Sequence, residues 1–223
     1  GGSAPNIVPD ECVVETASGT HSAEGRPAHG SAPWNGENAI DKVLIRLSQT
    51  EGGKFAGAYT ALFGGDVYGK RLGLNMESPD SGPLSLNVGM LRVEDGELRL
   101  TVDIRHPETM DGQTVLDTLR TAAEAHGFTM LPASPLRPVY LDKNGPVMTR
   151  LLEAYRRETG DMSQPLAIGG GTYARAMDNI IAFGPNFPGE ECREHEGNEY
   201  ITLANMERLR RIYRNALQNL LEM

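Results

Sequence analysis

The sequence predicts an α+β chain. An antiparallel sheet covered on one face by two helices spans about residues 10–141, followed by the end of a larger α/β sheet. Three observations predict it. Short β-branched runs alternate with amphipathic stretches in the order β, α, β, β, α, β, the split βαβ arrangement. The pair Asp95-Gly96 lies between two apolar runs and marks a hairpin, because glycine accepts positive φ cheaply. Beyond residue 141 the remaining helices and short strands are too few to enclose a core of their own.

The elements follow in order. Residues 11–24 (ECVVETASGTHSAE) supply one or two short strands, with Val13 and Val14 as β-branched positions. Glu37 to Leu47 is a helix, because Ala39, Ile40, Val43, Leu44 and Leu47 recur on one face at 3.6 periodicity; Asn35 is its expected cap. Residues 54–64 form a shorter helix ended by Gly65, inside an inserted segment near 50–82. Strands at Leu84–Val93 and Leu98–Arg105 flank the hairpin turn. Asp111 to Ala125 is helical with Val115, Leu116, Leu119 and Ala122 inward and Gly127 just past its end. Phe128–Leu131 and Pro138–Leu141 supply further strand material. In the remainder, Pro146 opens a helix that Gly160 ends, since proline's missing N–H costs nothing in a first turn. Short strands at Leu166–Ile168 and Ile180–Phe183 flank a glycine-rich turn. Thr202 caps a last helix whose apolar face is Met206, Leu209, Ile212, Tyr213, Ala216, Leu217 and Leu220.

Composition narrows the function classes. The chain has 223 residues, 39% hydrophobic and 23% charged, enough to bury a core. Its net charge of −9 argues against a nucleic-acid surface, which needs clustered Lys and Arg. No apolar run approaches the roughly 20 residues that span a bilayer, so no membrane partner is expected. No signal peptide is visible at Gly1-Gly2-Ser3-Ala4-Pro5, and two distant cysteines, Cys12 and Cys192, make no disulfide framework. The expected compartment is a reducing cytoplasm.

Several segments can carry chemistry. Gly169-Gly170-Gly171-Thr172 lets backbone approach a ligand closely and aims N–H groups at an anion, and it also suits a plain tight turn. His195, flanked by Glu194 and Glu196, suits a metal ligand or a solvated loop; Cys192 three residues earlier finds no second pair for a structural zinc. His29 falls on a loop after strand material, where catalytic groups concentrate, although a histidine with no identified carboxylate partner is more often structural. Arg105 ends a strand at a sheet edge, where its fork can clamp a carboxylate or make an ordinary surface pair. No nucleophile elbow and no phosphate-binding P-loop occur.

Together these segments resemble the M20 metallopeptidases, and most closely their PepV-like dipeptidases. The likeness runs through Gly2 to Pro9, then Ala28-His29-Gly30-Ser31 with Pro33, Gly36, Asn38 and Ala39. It continues through Gly82 to Gly89, Asp103-Ile104-Arg105 with Pro107, and Gly169 to Arg175. Ala182-Phe183-Gly184, Phe187-Pro188-Gly189 and His195 with Asn198 to Ile201 complete it.

The resemblance implies a ferredoxin-like βαββαβ lid domain at 1–141 and a C-terminal segment of an α/β catalytic domain at 142–223. It implies that His29 stabilises the oxyanion formed when water attacks a peptide carbonyl. Arg105 then holds the carboxylate of a small peptide substrate, Gly170, Gly171 and Thr172 line the site, and His195 binds one of two zinc ions. The family's other metal ligands come from a segment upstream of the lid, which is expected as a missing N-terminal partner from the same protein. One histidine cannot hold a catalytic zinc, so the isolated chain is expected to bind zinc weakly and to be inactive. Two other readings stay open: a lid-like assembly module that forms a homodimer through a sheet edge, and an amidohydrolase of the same superfamily acting on N-acyl amino acids.

Overall fold

The computed structural model describes residues 1–178, 180–190 and 198–223. They form two compact units, Gly1–Pro138 with Ala167–Gly170, and Val139–Leu166 with Gly171–Met223.

The first unit begins with strands β1 (Glu11–Thr16) and β2 (Gly19–Glu24), an antiparallel hairpin in register from Glu11↔Glu24 to Thr16↔Gly19. Helix α1 (Ala39–Thr50) follows, with Ala39, Ile40, Val43, Leu44 and Leu47 buried as the 3.6 period requires. Its cap is Asn38, not Asn35. The Asn38 side chain accepts from the amides of Ile40 (2.9 Å) and Asp41 (3.3 Å), while Asn35 lies in a preceding tight turn. Helix α2 (Lys54–Leu62) packs Ala56, Tyr59 and Leu62 into the same core, and Gly65 takes positive φ just beyond it.

After the two-residue strands β3 (Glu77–Ser78) and β4 (Gly82–Pro83) come β5 (Ser85–Glu94) and β6 (Glu97–Arg105). The turn between β5 and β6 is Asp95-Gly96 with φ of 52° and 79°. Positive φ at both central residues matches the right-handed twist of the flanking strands. Helix α3 (Gly112–Ala125) is capped by Asp111, whose carboxylate accepts from the Thr114 amide at 3.0 Å. Ile40, Leu44 and Tyr59 of the two helices, Leu84, and Leu86, Val88 and Leu91 of β5 make one core with Cys12 and Val115.

In place of the expected single antiparallel sheet, the described residues form three two-stranded ladders, β1–β2, β3–β4 and β5–β6. The segments 128–131 and 138–141 form no strand. Pro132, Pro135 and Pro138 punctuate this stretch, and each removes a ladder donor. The amino-terminal residues act as a strap instead. Gly1 and Leu91 exchange backbone hydrogen bonds (2.9 and 3.0 Å), and the Gly2 amide donates to Glu11 O (3.2 Å), so β5 and β1 are joined through it. Buried Asn87 donates its side-chain amide to both Pro5 O and Ile7 O, each at 3.0 Å.

The core also holds a titratable pair. The Tyr59 hydroxyl donates to Asp41 Oδ1 at 2.6 Å, and the Gly65 amide donates to the same oxygen at 3.1 Å. Burial raises the Asp41 carboxyl above the ordinary range despite the Tyr59 hydrogen bond, which lowers it. A carboxyl whose folded value is raised contributes stability that is fully present below its unfolded value, near pH 4, and is lost as pH rises through the folded one. Asp41→Asn is therefore expected to flatten the pH dependence of the urea midpoint above about pH 4 and to match or exceed wild type at pH 7. A large loss at pH 7 would mean that Tyr59 and Gly65 favour the anion more than burial opposes it.

The second unit contains α4 (Pro146–Thr159) and α5 (Leu203–Leu221), with Pro146 at the first position of α4 and Gly160 in the left-handed conformation at its end. Thr202 caps α5, accepting from the Asn205 amide at 3.1 Å. The buried face of α5 is rotated from the expected one. Leu209, Ile212 and Ala216 are buried along with Asn215 and Asn219, whereas Met206 and Leu217 are exposed. The asparagines pack inward because they find partners on α4: Asn215 donates to Glu158 Oε1 (2.8 Å) and Asn219 to Arg150 O (3.1 Å). Leu166–Ile168 and Ile180–Phe183 form no strands. A strand needs a ladder partner, and Ile181 and Phe183 instead pack as loop side chains against Leu151, Ala154 and Ala216. No described helix is long and apolar enough to cross a membrane.

Candidate active site

His29 lies on the exposed segment that follows β2, anchored to the strap by an isolated bridge between Ile7 and His29 and by the Gly30 amide donating to Asn6 O at 2.7 Å. Its ring is oriented by Ser31. The Ser31 backbone amide approaches Nδ1 at 3.3 Å and the Ser31 hydroxyl lies 2.7 Å from the same nitrogen. An amide can only donate, so Nδ1 accepts and the neutral ring carries its proton on Nε2. That leaves Nε2 as the donating nitrogen.

Arg105 is the last residue of β6, which among the described residues pairs with β5. Asp103 and Arg105 are two residues apart on one strand and so share a face. Asp103 Oδ2 accepts from Arg105 Nε at 3.1 Å and from Nη2 at 2.7 Å, and Arg105 Nη1 donates to Gly169 O. Gly169 in turn packs so closely on Ser31 that any side chain there would collide with the Ser31 Cβ. The first unit thus gathers His29, Ser31, Asp103, Arg105 and the start of the glycine-rich turn. At Gly170, by contrast, a Cβ would meet nothing within 4 Å, so neighbouring atoms do not require glycine there.

In the second unit Thr172 caps a short 3-10 turn, Tyr173–Ala176, accepting from the Ala174 amide at 3.2 Å. The helix expected to begin near Thr172 is only this one turn, too short to offer a helix dipole. Glycine at 171 makes room for the Arg175 guanidinium, which a Cβ would strike. His195, with Cys192 and Glu196, lies outside the described residues. Among the described residues no group of three or more His, Cys, Asp or Glu side chains could hold a metal ion.

A cleft of about 250 Å³ in the first unit is lined by Asn38, Asp41, Lys42, Asp66 and Asn87, with neither His29 nor Arg105 in its wall. Its polar side chains already serve the fold. Asn38 caps α1, Asn87 ties down the strap, Lys42 pairs with Glu37 at 2.6 Å, and Asp66 accepts from the amides of Tyr68 and Arg71.

Sequence reasoning named His29 and Arg105 but missed Asp103, Gly30 and Ser31 as their neighbours. The i, i+2 spacing of Asp103 and Arg105 on a strand was the available signal.

No protein-family model matches the chain. Its curated relatives carry a hydrolase name: it is 33% identical over 215 residues to "Putative dipeptidase YtjP" of Bacillus subtilis (strain 168), covering 94% of this chain and 46% of that protein. It is 31% identical over 216 residues to "Putative dipeptidase SH1171" of Staphylococcus haemolyticus, covering 94% and 46%. It is also 31% identical over 221 residues to "Putative dipeptidase SAR1836" of Staphylococcus aureus (strain MRSA252), covering 96% and 47%. The chain thus spans about half the length of the curated relatives it matches.

Proposed function

We propose that this chain is the lid and carboxy-terminal catalytic segment of a metal-dependent dipeptidase. The observation that carries the reading is the convergence of a histidine with a proton on Nε2 and an arginine with spare donors around one glycine-rich turn. The names of the relatives support the reaction class. Exposed Leu166, Leu203 and Leu217 in the second unit support a chain segment made to join a larger core.

In this reading His29 donates from Nε2 to the oxygen that becomes negative when water attacks the peptide carbonyl. Arg105 takes the substrate's terminal carboxylate through two parallel hydrogen bonds. Gly170 lines the substrate path. Zinc would supply carbonyl polarisation and activation of water, held by His195 and by ligands from the preceding half of the longer protein. This chain alone would hydrolyse nothing at a useful rate. The alternative amidohydrolase reading changes the acyl group and keeps these roles.

Arg105→Ala in the full-length enzyme tests the proposal. Loss of a charge-assisted clamp is expected to lower kcat/KM for free-acid dipeptides by roughly 10–100-fold while changing amidated ones little. Equal losses on both substrates would remove Arg105 from carboxylate recognition. Efficient cleavage of N-acyl amino acids with none of dipeptides would move the assignment to the amidohydrolases.

A further inference from the structure

The hydrogen bonds of Arg105 leave a specific remainder. A guanidinium has five N–H donors. Among the described residues Asp103 Oδ2 engages Nε and one hydrogen of Nη2, and Gly169 O engages one of Nη1. One donor is left on each terminal nitrogen after these contacts, for a ligand to accept. Asp103 and Arg105 side chains are 19% and 23% exposed, so their attraction is less screened than that of a surface pair.

The same Asp103 oxygen lies against the His29 loop. A Cβ built on Gly30 would come within 2.8 Å of Asp103 Oδ2 and 3.1 Å of Asn6 O. Gly30 does not take positive φ, so alanine there is opposed by this contact and not by the backbone. The Asp103 carboxylate is the softer of the two obstacles, being the end of a side chain. From Arg105 the contacts return through Gly169 and Ser31 to His29.

We propose that Asp103 is the positioning residue for Arg105, and that glycine at position 30 lets its carboxylate reach that place. The arginine and the His29 loop are then held as one unit. The effect on substrates rests on the dipeptidase reading, whereas the positioning itself does not.

Two measurements separate these. The first needs no substrate: the Arg105 Nε–H signal of the ¹⁵N-labelled chain, read for exchange with solvent. A slow, distinct signal is expected in wild type and in Asp103→Asn, whose amide oxygen still accepts. It should be lost in Asp103→Ala and Gly30→Ala. The second is the ratio of kcat/KM for a free-acid dipeptide to that for its amide in the full-length enzyme. The ratio should fall about tenfold in Asp103→Ala and Gly30→Ala, stay near wild type in Asp103→Asn, and fall no further in the double variant, since both changes act through one contact. An Nε–H signal indifferent to Asp103→Ala overturns the proposal, as does an equal loss on both substrates. A full-length protein that cleaves no dipeptide, with the signal behaving as expected, removes the dipeptidase reading and leaves the positioning role intact.

Discussion

His29→Ala in the full-length enzyme is expected to lower kcat by about 10²–10³-fold while KM changes by no more than roughly threefold. The expectation follows from where the proton sits. The Ser31 amide donates toward Nδ1, which assigns the proton of the neutral ring to Nε2. A donor at Nε2 has little to gain from the neutral carbonyl of a bound substrate and much from the oxyanion that replaces it. Its removal therefore affects the transition state and not ground-state binding. Steady-state kinetics on one dipeptide, with the thermal midpoint as a control for folding, decides the matter. A raised KM with unchanged kcat would make His29 a ground-state contact and leave the oxyanion without a donor from this loop.

What could be read from the chain before its structure depended on whether the signal was local. The Asp95-Gly96 turn, the apolar face of α1, proline at the start of α4, glycine at its end and the Thr202 cap are set by residues within one turn of each other, and all form. The strap was invisible because its contacts reach from Gly1 to Leu91 and from Pro5 to Asn87, and no periodicity encodes such pairings. The segments after α3 failed as strands for a related reason. Apolar residues at 128–131 satisfy the local pattern, but prolines at 132, 135 and 138 each remove a ladder donor from the stretch that follows. On α5, a hydrophobic stripe alone predicted burial of Met206 and Leu217, while partners on α4 turned Asn215 and Asn219 inward.

The site was legible to the same degree. His29 and Arg105 stood out as single residues within motifs, but their relation could not be read from spacing, because it runs through Gly30, Asp103, Gly169 and Ser31 on three separate segments. Gly170 and Gly171 illustrate the opposite error. A run of glycines reads as one device, yet position 170 opens onto space, position 171 makes room for Arg175, and position 169 alone packs against Ser31.

The strap links fold to site, and Asn87→Ala should expose that link with the largest loss of stability among these substitutions. Asn87 is 2% exposed. It donates to Pro5 O and Ile7 O at 3.0 Å and lies 3.4 Å from the Asn38 amide that also caps α1 through its other end. Truncation removes these bonds from a buried side chain and takes from the Pro5 and Ile7 carbonyls the donor that ties them to β5. At about 0.5–1.5 kcal/mol for each hydrogen bond lost, the expected cost is roughly 1–3 kcal/mol, or a fall in Tm of about 2–12 °C for a chain of this size. Asn87→Asp should cost more at neutral pH, since a carboxylate would face the same two carbonyls with nothing to donate, and should recover partly as acid returns a proton to it. Activity should fall with stability for a stated reason. The Gly30 amide rests on Asn6 O and His29 bridges to Ile7, so a loosened strap releases the histidine that donates to the oxyanion. Thermal and urea denaturation of the two variants, with hydrogen exchange at the Gly30 amide, would check each step. An Asn87→Ala protein as stable as wild type would show that water replaces the lost donor and that the strap holds through Gly1 and Gly2 alone.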